Sequence, residues 1–296
     1  TALSYRLAQA AGAATALRAR FPLPMSSLSS LISLRAQALA VLLEPDPNLK
    51  ARLARASDAA APTGASEQLP VPAGIPGRPA VPRLVEHRGL KKTSITTVAG
   101  RAALLHSLAH IELNAIDLAA DAVWRFADMP DTYYSDWLRV MQEEALHFEL
   151  LRDHLLSLGY AYGDFDAHNA LWEMAERTQQ DVLARMALVP RTMEARGLDA
   201  SPGVRHKLAS VGDAAGAAIL DTILRDEIGH VLVGNRWYGY LCMERGLEPV
   251  VTYAALTRQY RAPRLRGPFN LPARQAAGFS DAELAALQAQ GADTEA

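Results

Sequence analysis

Apolar residues recur every three or four positions over most of this chain, the spacing that lays a continuous apolar stripe along an α-helix. That period predicts two amphipathic helices near the start, Tyr5–Arg20 and Ser27–Leu43, divided by Phe21-Pro22-Leu23-Pro24. It fails between 58 and 95, where Pro62, Pro70, Pro72, Pro76, Pro79 and Pro82 stand among Gly and Ala and forbid a long helix. Val71, Ile75, Val81 and Leu84 in that stretch favour an extended arm laid on the surface over a free linker. The period returns at 96 and persists to about 250. It predicts helices over Thr96–Ala127, Asp131–Gly159 and Ala167–Arg196, then a short one over Val204–Ser210 and a long one over Ala214–Glu244. Asp131 is the expected N-cap of the second, Gly159 its terminator, Pro190 a kink in the third and Gly197 its end. A tail from 251 to 296 closes the chain, with a small helix opening at Asp281 behind Ser280. The expected fold is all-α: an N-terminal helical extension (1–57), a proline-rich arm (58–95), a four-helix bundle (96–250) and the tail.

Composition supports helices, because aromatics are only 6% of a chain that is 50% apolar and rich in Ala and Leu. Charged residues interrupt every long apolar run, so no membrane span is expected. Residues 1–20 lack the basic start, apolar middle and cleavage site of a signal peptide, and the single Cys242 fits a reducing cytoplasm. Cys242 itself is expected as a buried small hydrophobe. A net charge of −2 argues against a general nucleic-acid-binding surface. One local exception stands in the tail: Arg258, Arg261, Arg264 and Arg266 are candidates to grip phosphate, the alternative being solvated tail residues or pairs with the chain's own acids.

Two five-residue patterns carry the chemistry, Glu143-Glu144-Ala145-Leu146-His147 and Asp226-Glu227-Ile228-Gly229-His230. Each contains Glu-x-x-His, and an i to i+3 spacing puts both side chains on one helix face, where they can bind one metal together. Two such helices suggest two metals. Carboxylates must then bridge the ions and balance their charge, and the other long helices each offer one, Glu112 and Glu194. Oxygen donors with one imidazole per metal and no thiolate suit iron or manganese. His106, His110 and Asn114 sit on successive turns near Glu112 and are candidate supports for the ligands, His110 first among them, the alternative being ordinary polar residues. Asp117 and Asp121 are expected to serve the surface or cap neighbouring loops, His154 to lie at the surface, and Trp237-Tyr238-Gly239-Tyr240 to be core aromatics.

The order Glu, Glu-x-x-His, Glu, Glu-x-x-His resembles the ligand set of the ferritin-like di-iron carboxylate superfamily. The resemblance covers about residues 96 to 245 and looks nearest to an uncharacterised bacterial branch, through Arg101–His106, Leu138–His147 and Val189–Asp199. Glu194-Ala195-Arg196 is also similar to the third-helix motif of the tRNA hydroxylase members. The resemblance implies two irons held by Glu112, Glu144, His147, Glu194, Glu227 and His230, with manganese or a mixed Mn/Fe pair as alternatives. It implies that Glu143 and Asp226 accept the second N–H of a ligand imidazole on a neighbouring helix. It further implies an oxidoreductase that activates O2 with electrons from a reductase, on an unknown substrate that a modified nucleoside or tRNA would exemplify. The other reading of the same residues is a non-enzymatic metal-binding or scaffold bundle, and the added arms are compatible with a homodimer.

Length sets one further condition. About 15 residues follow Glu144 in the second helix, roughly 22 Å, whereas about 27 separate Ala167 from Glu194, roughly 40 Å. A straight third helix would overshoot the site, so a break is expected within Asp166–Arg185. Without it, Glu173 or Glu176 would replace Glu194 as the candidate ligand.

Overall fold

The computed structural model describes residues 32–86 and 93–292. Tyr5–Arg20 and the start of Ser27–Leu43 lie outside the described residues. Eleven helices follow among those described: α1 (Leu34–Leu43), α2 (Pro47–Ala56), α3 (Val98–Arg125), α4 (Asp131–Ser157), α5 (Ala170–Arg177), α6 (Val182–Leu188), α7 (Ala195–Ser210), α8 (Ala214–Glu244), α9 (Pro249–Gln259), α10 (Leu271–Ala276) and α11 (Asp281–Ala292). No strand forms among the described residues, and the single bridge pairs Leu84 with Ala167. No described helix is long and apolar enough to cross a membrane.

The architecture is an all-α bundle. α3 packs along α4, α8 packs on α4, and the fourth stave is α6 joined to α7 through a π-helical turn, Val189–Glu194. Buried Leu105, Ile116, Met141, Phe148, Leu188 and Trp237 belong to one continuous core. The hairpin of α1 and α2 covers the outer face of α3 and α4. Arg35 on α1 donates to the carbonyls of Gly64, Ala65 and Glu67 in the proline-rich stretch and to that of Trp124 at the end of α3. One guanidinium thereby satisfies carbonyls that a proline-rich segment has no strand partner to satisfy.

Several sequence expectations are corrected. Pro130, not Asp131, is the N-cap of α4; Asp131 is its first residue, and its carboxylate accepts from the Thr63 hydroxyl. The third helix starts at Ala170 and is interrupted at 178–181, where Asp181 caps α6. Gly197 ends nothing: α7 runs through it and absorbs Val204–Ser210, because the π-turn already supplies the change of direction that a terminator would have made. Three helices carried no decisive period in the sequence: α2, α9 and α10 are each short and open with Pro at N1 or N2. His154 is not a free surface group but is bonded to Asp213 at 2.8 Å.

The largest correction concerns α3. Asp117 and Asp121 are buried, and with His106, His110 and Asn114 they form a polar stripe along an otherwise apolar helix. A buried charge must be paired. Lys50 from α2 pairs with Asp117, while Arg185 from α6 and Arg125 one turn on pair with Asp121. His106 accepts from the Gly163 amide at 2.9 Å through Nε2, so Nδ1 carries the hydrogen. Burial pulls the His106 pKa down from 6.5 to about 4, with Asp164 opposing. A histidine held neutral in the folded state contributes stability above pH 6.5 that is lost as pH falls towards 4. His106→Gln, which keeps an acceptor for Gly163, is therefore expected to remove roughly 3 kcal/mol of the acid destabilisation across that interval. Urea unfolding of parent and variant at pH 7 and pH 4.5 reads this; parallel losses in both would sink it.

Candidate metal centre

Glu112, Glu144, His147, Glu227 and His230 are brought into one buried cluster at the middle of the bundle. Glu112 comes from α3, Glu144 and His147 from α4, Glu227 and His230 from α8. Two groups there have ligand atoms within 4.8 Å of one another: Glu112, Glu144 and His147; and Glu144, Glu227 and His230. Glu144 is common to both and stands between the two positions. The His147 Nδ1 lies 3.4 Å from Glu112 and from Glu144, and the His230 Nδ1 lies 2.9 Å from Glu144 and 3.3 Å from Glu227.

The outer nitrogens explain why Nδ1 points inwards. His147 Nε2 donates to Asp226 at 3.1 Å, and His230 Nε2 donates to Glu143 at 2.8 Å. The exchange is reciprocal: the acid preceding the Glu of each motif reaches across to the imidazole of the other helix. Each Nε2–H is thereby engaged, and each Nδ1 faces the carboxylates as the nitrogen a metal would take in place of a proton. Asp226 is itself held by Arg225 at 2.8 Å.

Glu194 comes beside the cluster by a different route and belongs to neither of the two ligand groups. Pro190 cannot donate an amide hydrogen, and the chain widens into the π-turn instead of continuing as α-helix. Thr192 Oγ1 donates to the Ala187 carbonyl at 2.8 Å within this turn. Gly234 on α8 lets the turn approach, since a Cβ there would lie 2.5 Å from the Pro190 ring. Glu194 is the last residue of the turn. It keeps some accessible surface, yet its Oε2 is buried without a hydrogen-bond partner. The exposed Glu173 and Glu176 stand outside the cluster.

The electrostatics test whether these residues suit a cation. Burial, with Glu227 and Glu144 beside it, pushes Glu194 well above the carboxylate range; burial and Glu144 do the same to Glu112, and burial raises Glu227. Burial opposes charging of the imidazoles, but the carboxylates facing them prevail and raise both His147 and His230. Every one of these directions favours added positive charge in the cluster. An orphaned carboxylate oxygen, shared Glu144 and two oriented imidazoles are a donor set that could hold metal ions.

Above the carboxylates lies a cavity of about 920 Å³, lined by Glu112, Glu144, Glu194 and Glu227. Leu108, Ile111, Met174, Met193, Leu220 and Ile223 make up much of its wall. The four tail arginines divide here. Arg261, Arg264 and Arg266 line this cavity, together with Arg177 and Arg196, while Arg258 does not. His110 also parts from its expected place: it hydrogen-bonds Tyr162, the His168 carbonyl and Asn114, and none of the six candidate ligands. Asn114 accepts from Arg78, so this branch of the polar stripe fastens the arm.

The sequence profile of the family described as "Protein of unknown function (DUF455)" matches residues 43–285. The chain belongs to the DUF455 family. A DUF455 chain of this kind is also similar to an "Uncharacterized protein" of Haemophilus influenzae, at 49% identity over 213 residues, covering 70% of this chain and 74% of that protein. No solved structure matches. The match takes in all six candidate ligands, the π-turn and the arginine segment of this DUF455 chain.

Proposed function

We propose that this DUF455 protein is a ferritin-like di-metal oxidoreductase that activates O2 on a small substrate, with iron as the expected metal and manganese or a mixed pair as the alternative. The observation that carries this reading is the cavity that opens directly on Glu112, Glu144, Glu194 and Glu227. A scaffold bundle has no use for buried like charges beside an opening that admits a reactant, and four-helix bundles commonly build their metal sites from facing helices in this manner. Glu112, Glu144 and His147 would hold one ion, and Glu144, Glu227 and His230 the other, with Glu194 completing the charge balance from the cavity side.

When bound, the metal pair supplies the redox chemistry that O2 activation requires. The chain's own residues supply position and surroundings. Asp226 and Glu143 fix the imidazole rings; the apolar wall lowers the polarity beside the cluster; and the arm and the α1–α2 hairpin cover the outer face of α3 and α4. The electron donor is a reductase or an equivalent external source.

Protein reconstituted anaerobically with Fe(II) is expected to consume O2 in excess of its iron when ascorbate supplies electrons, as followed with an oxygen electrode. Uptake that stops at the stoichiometry of iron oxidation would favour storage or scaffolding instead. Parallel Mn(II) and mixed Mn/Fe loadings decide the metal.

A further inference from the structure

The cavity differs sharply between its floor and its mouth. The floor is four carboxylates; the mouth carries five exposed arginines, Arg177 and Arg196 from α5 and α7, and Arg261, Arg264 and Arg266 from the segment after α9. Acids at the mouth do not cancel them. Arg177 lies only loosely beside Glu173, at 4.0 Å. Asp199 is already engaged, accepting from Arg274 at 2.7 and 3.0 Å and from the Asn270 amide at 2.9 Å. No carboxylate among the described residues comes within ion-pair distance of Arg196, Arg261, Arg264 or Arg266. Their placement is also specific, because buried Leu265 anchors the segment that carries three of them and faces the cavity with them.

Guanidinium groups without carboxylate partners leave the opening positive, and an anion balances that charge. Their planar forks match carboxylate and phosphate oxygens in pairs. Between mouth and floor the wall is aliphatic and thioether, with Leu108, Ile111, Met174, Met193 and Ile223. Such a lining rejects a polyanion but accepts an apolar body. The volume of about 920 Å³ suits a molecule of small-lipid size. A chain net charge of −2 argues against a general nucleic-acid-binding surface.

We infer that the substrate is an amphiphilic organic anion, with a phosphate or carboxylate head held at Arg196, Arg261, Arg264 and Arg266 and an apolar tail reaching down the cavity towards the carboxylate cluster. This names the substrate class of the site proposed above and rests on that reading for its chemistry. Its binding part stands separately, because the arginines and the apolar wall line the cavity whether or not metal is bound.

The test is isothermal titration calorimetry on the full chain with four probes: dodecyl phosphate, dodecanoate, inorganic phosphate and dodecyl maltoside as an uncharged amphiphile, all below their micelle concentrations. One or both of the anionic amphiphiles is expected to bind at least tenfold tighter than either inorganic phosphate or the maltoside. Which of them binds identifies the head group. Arg261→Ser/Arg264→Ser/Arg266→Ser, all at exposed positions, should weaken that binding at least tenfold with the far-ultraviolet circular dichroism and metal content unchanged. Leu108→Arg, at the wall, should weaken it as well. Equal binding of charged and uncharged amphiphiles, or full retention in the triple variant, would overturn the inference. So would tight binding of a 20-nucleotide RNA by protein that ignores the amphiphiles. Running the titration beside a metal count after anaerobic Fe(II) loading separates the two failures: amphiphile binding by protein that takes up no metal sinks the oxidoreductase reading alone, and metal uptake without amphiphile binding sinks the substrate class alone.

Discussion

Glu144→Ala is expected to reduce bound metal from about two ions per chain to less than one, since Glu144 belongs to both ligand groups. Glu227→Ala should lose mainly the ion held with His230. Elemental mass spectrometry after anaerobic Fe(II) loading and desalting gives the count, and full occupancy in either variant would remove these residues from the site. Stability should move in the opposite direction. Burial, with Glu227 beside it, holds the Glu194 pKa well above the usual value, so its ionisation opposes folding once pH exceeds that of an ordinary carboxylate. Glu194→Gln removes the charge and keeps the shape. The metal-free variant should therefore be more stable than metal-free parent by roughly 1–2 kcal/mol at neutral pH, with the advantage growing as pH rises from about 5 to 8. With metal bound, the advantage should vanish or reverse. A binding site of this kind is a source of instability that only its ligand relieves, and the sign change with metal distinguishes it from a structural carboxylate.

The second large effect lies at Asp121. Arg185 is 1% exposed and its partner Asp121 is fully buried; the guanidinium also donates to Thr178 Oγ1 at 3.0 Å and to the Ala175 carbonyl at 2.7 Å. Arg185 thus ties α3 to both sides of the break at 178–181, the feature that brings the following π-turn back to the cluster. Asp121→Ala would leave that cation buried without its anion, a change that costs about 3–5 kcal/mol. Burial works against ionised Asp121, but Arg185 and Arg125 prevail and hold its pKa below the usual carboxylate value. Its contribution is accordingly present above about pH 4 and is lost as pH falls through the lowered value. Asp121→Leu with Arg185→Met, which removes both charges, is expected to recover much of the loss. Urea denaturation of the single and double variants measures this. A single variant within about 1 kcal/mol of the parent would show that the pair does not anchor the break.

The site was legible to the extent that local spacing encodes it. Glu-x-x-His at i and i+3 shares a helix face whatever the tertiary context, so Glu144 with His147 and Glu227 with His230 could be paired from sequence alone. Glu112 followed from the need for more carboxylates, and Glu194 from chain order together with a length argument requiring a break before it. The break is there, at 178–181. The π-turn was not legible, because widening at Pro190 depends on Gly234, a residue more than forty positions away on α8. Asp117 and Asp121 were misplaced at the surface for a similar reason. Their partners Lys50 and Arg185 are 67 and 64 residues distant. One local signal was present: positions 106, 110, 114, 117 and 121 form a polar stripe with helical spacing inside an apolar helix, and such a stripe needs buried partners as much as solvent.

The sequence by itself determined the all-α class, the positions of the two longest motif-bearing helices and the donor types of the cluster, because period, capping and i to i+3 geometry act within a few turns of chain. Only the tertiary structure decided which acid supports which imidazole, where Glu194 stands, that Arg258 is excluded from the cavity while Arg261, Arg264 and Arg266 line it, and that one opening joins arginines to carboxylates. Each of those depends on how separate helices are set against one another. Such settings arise from packing and buried charge pairing over long sequence separations, which no local pattern records.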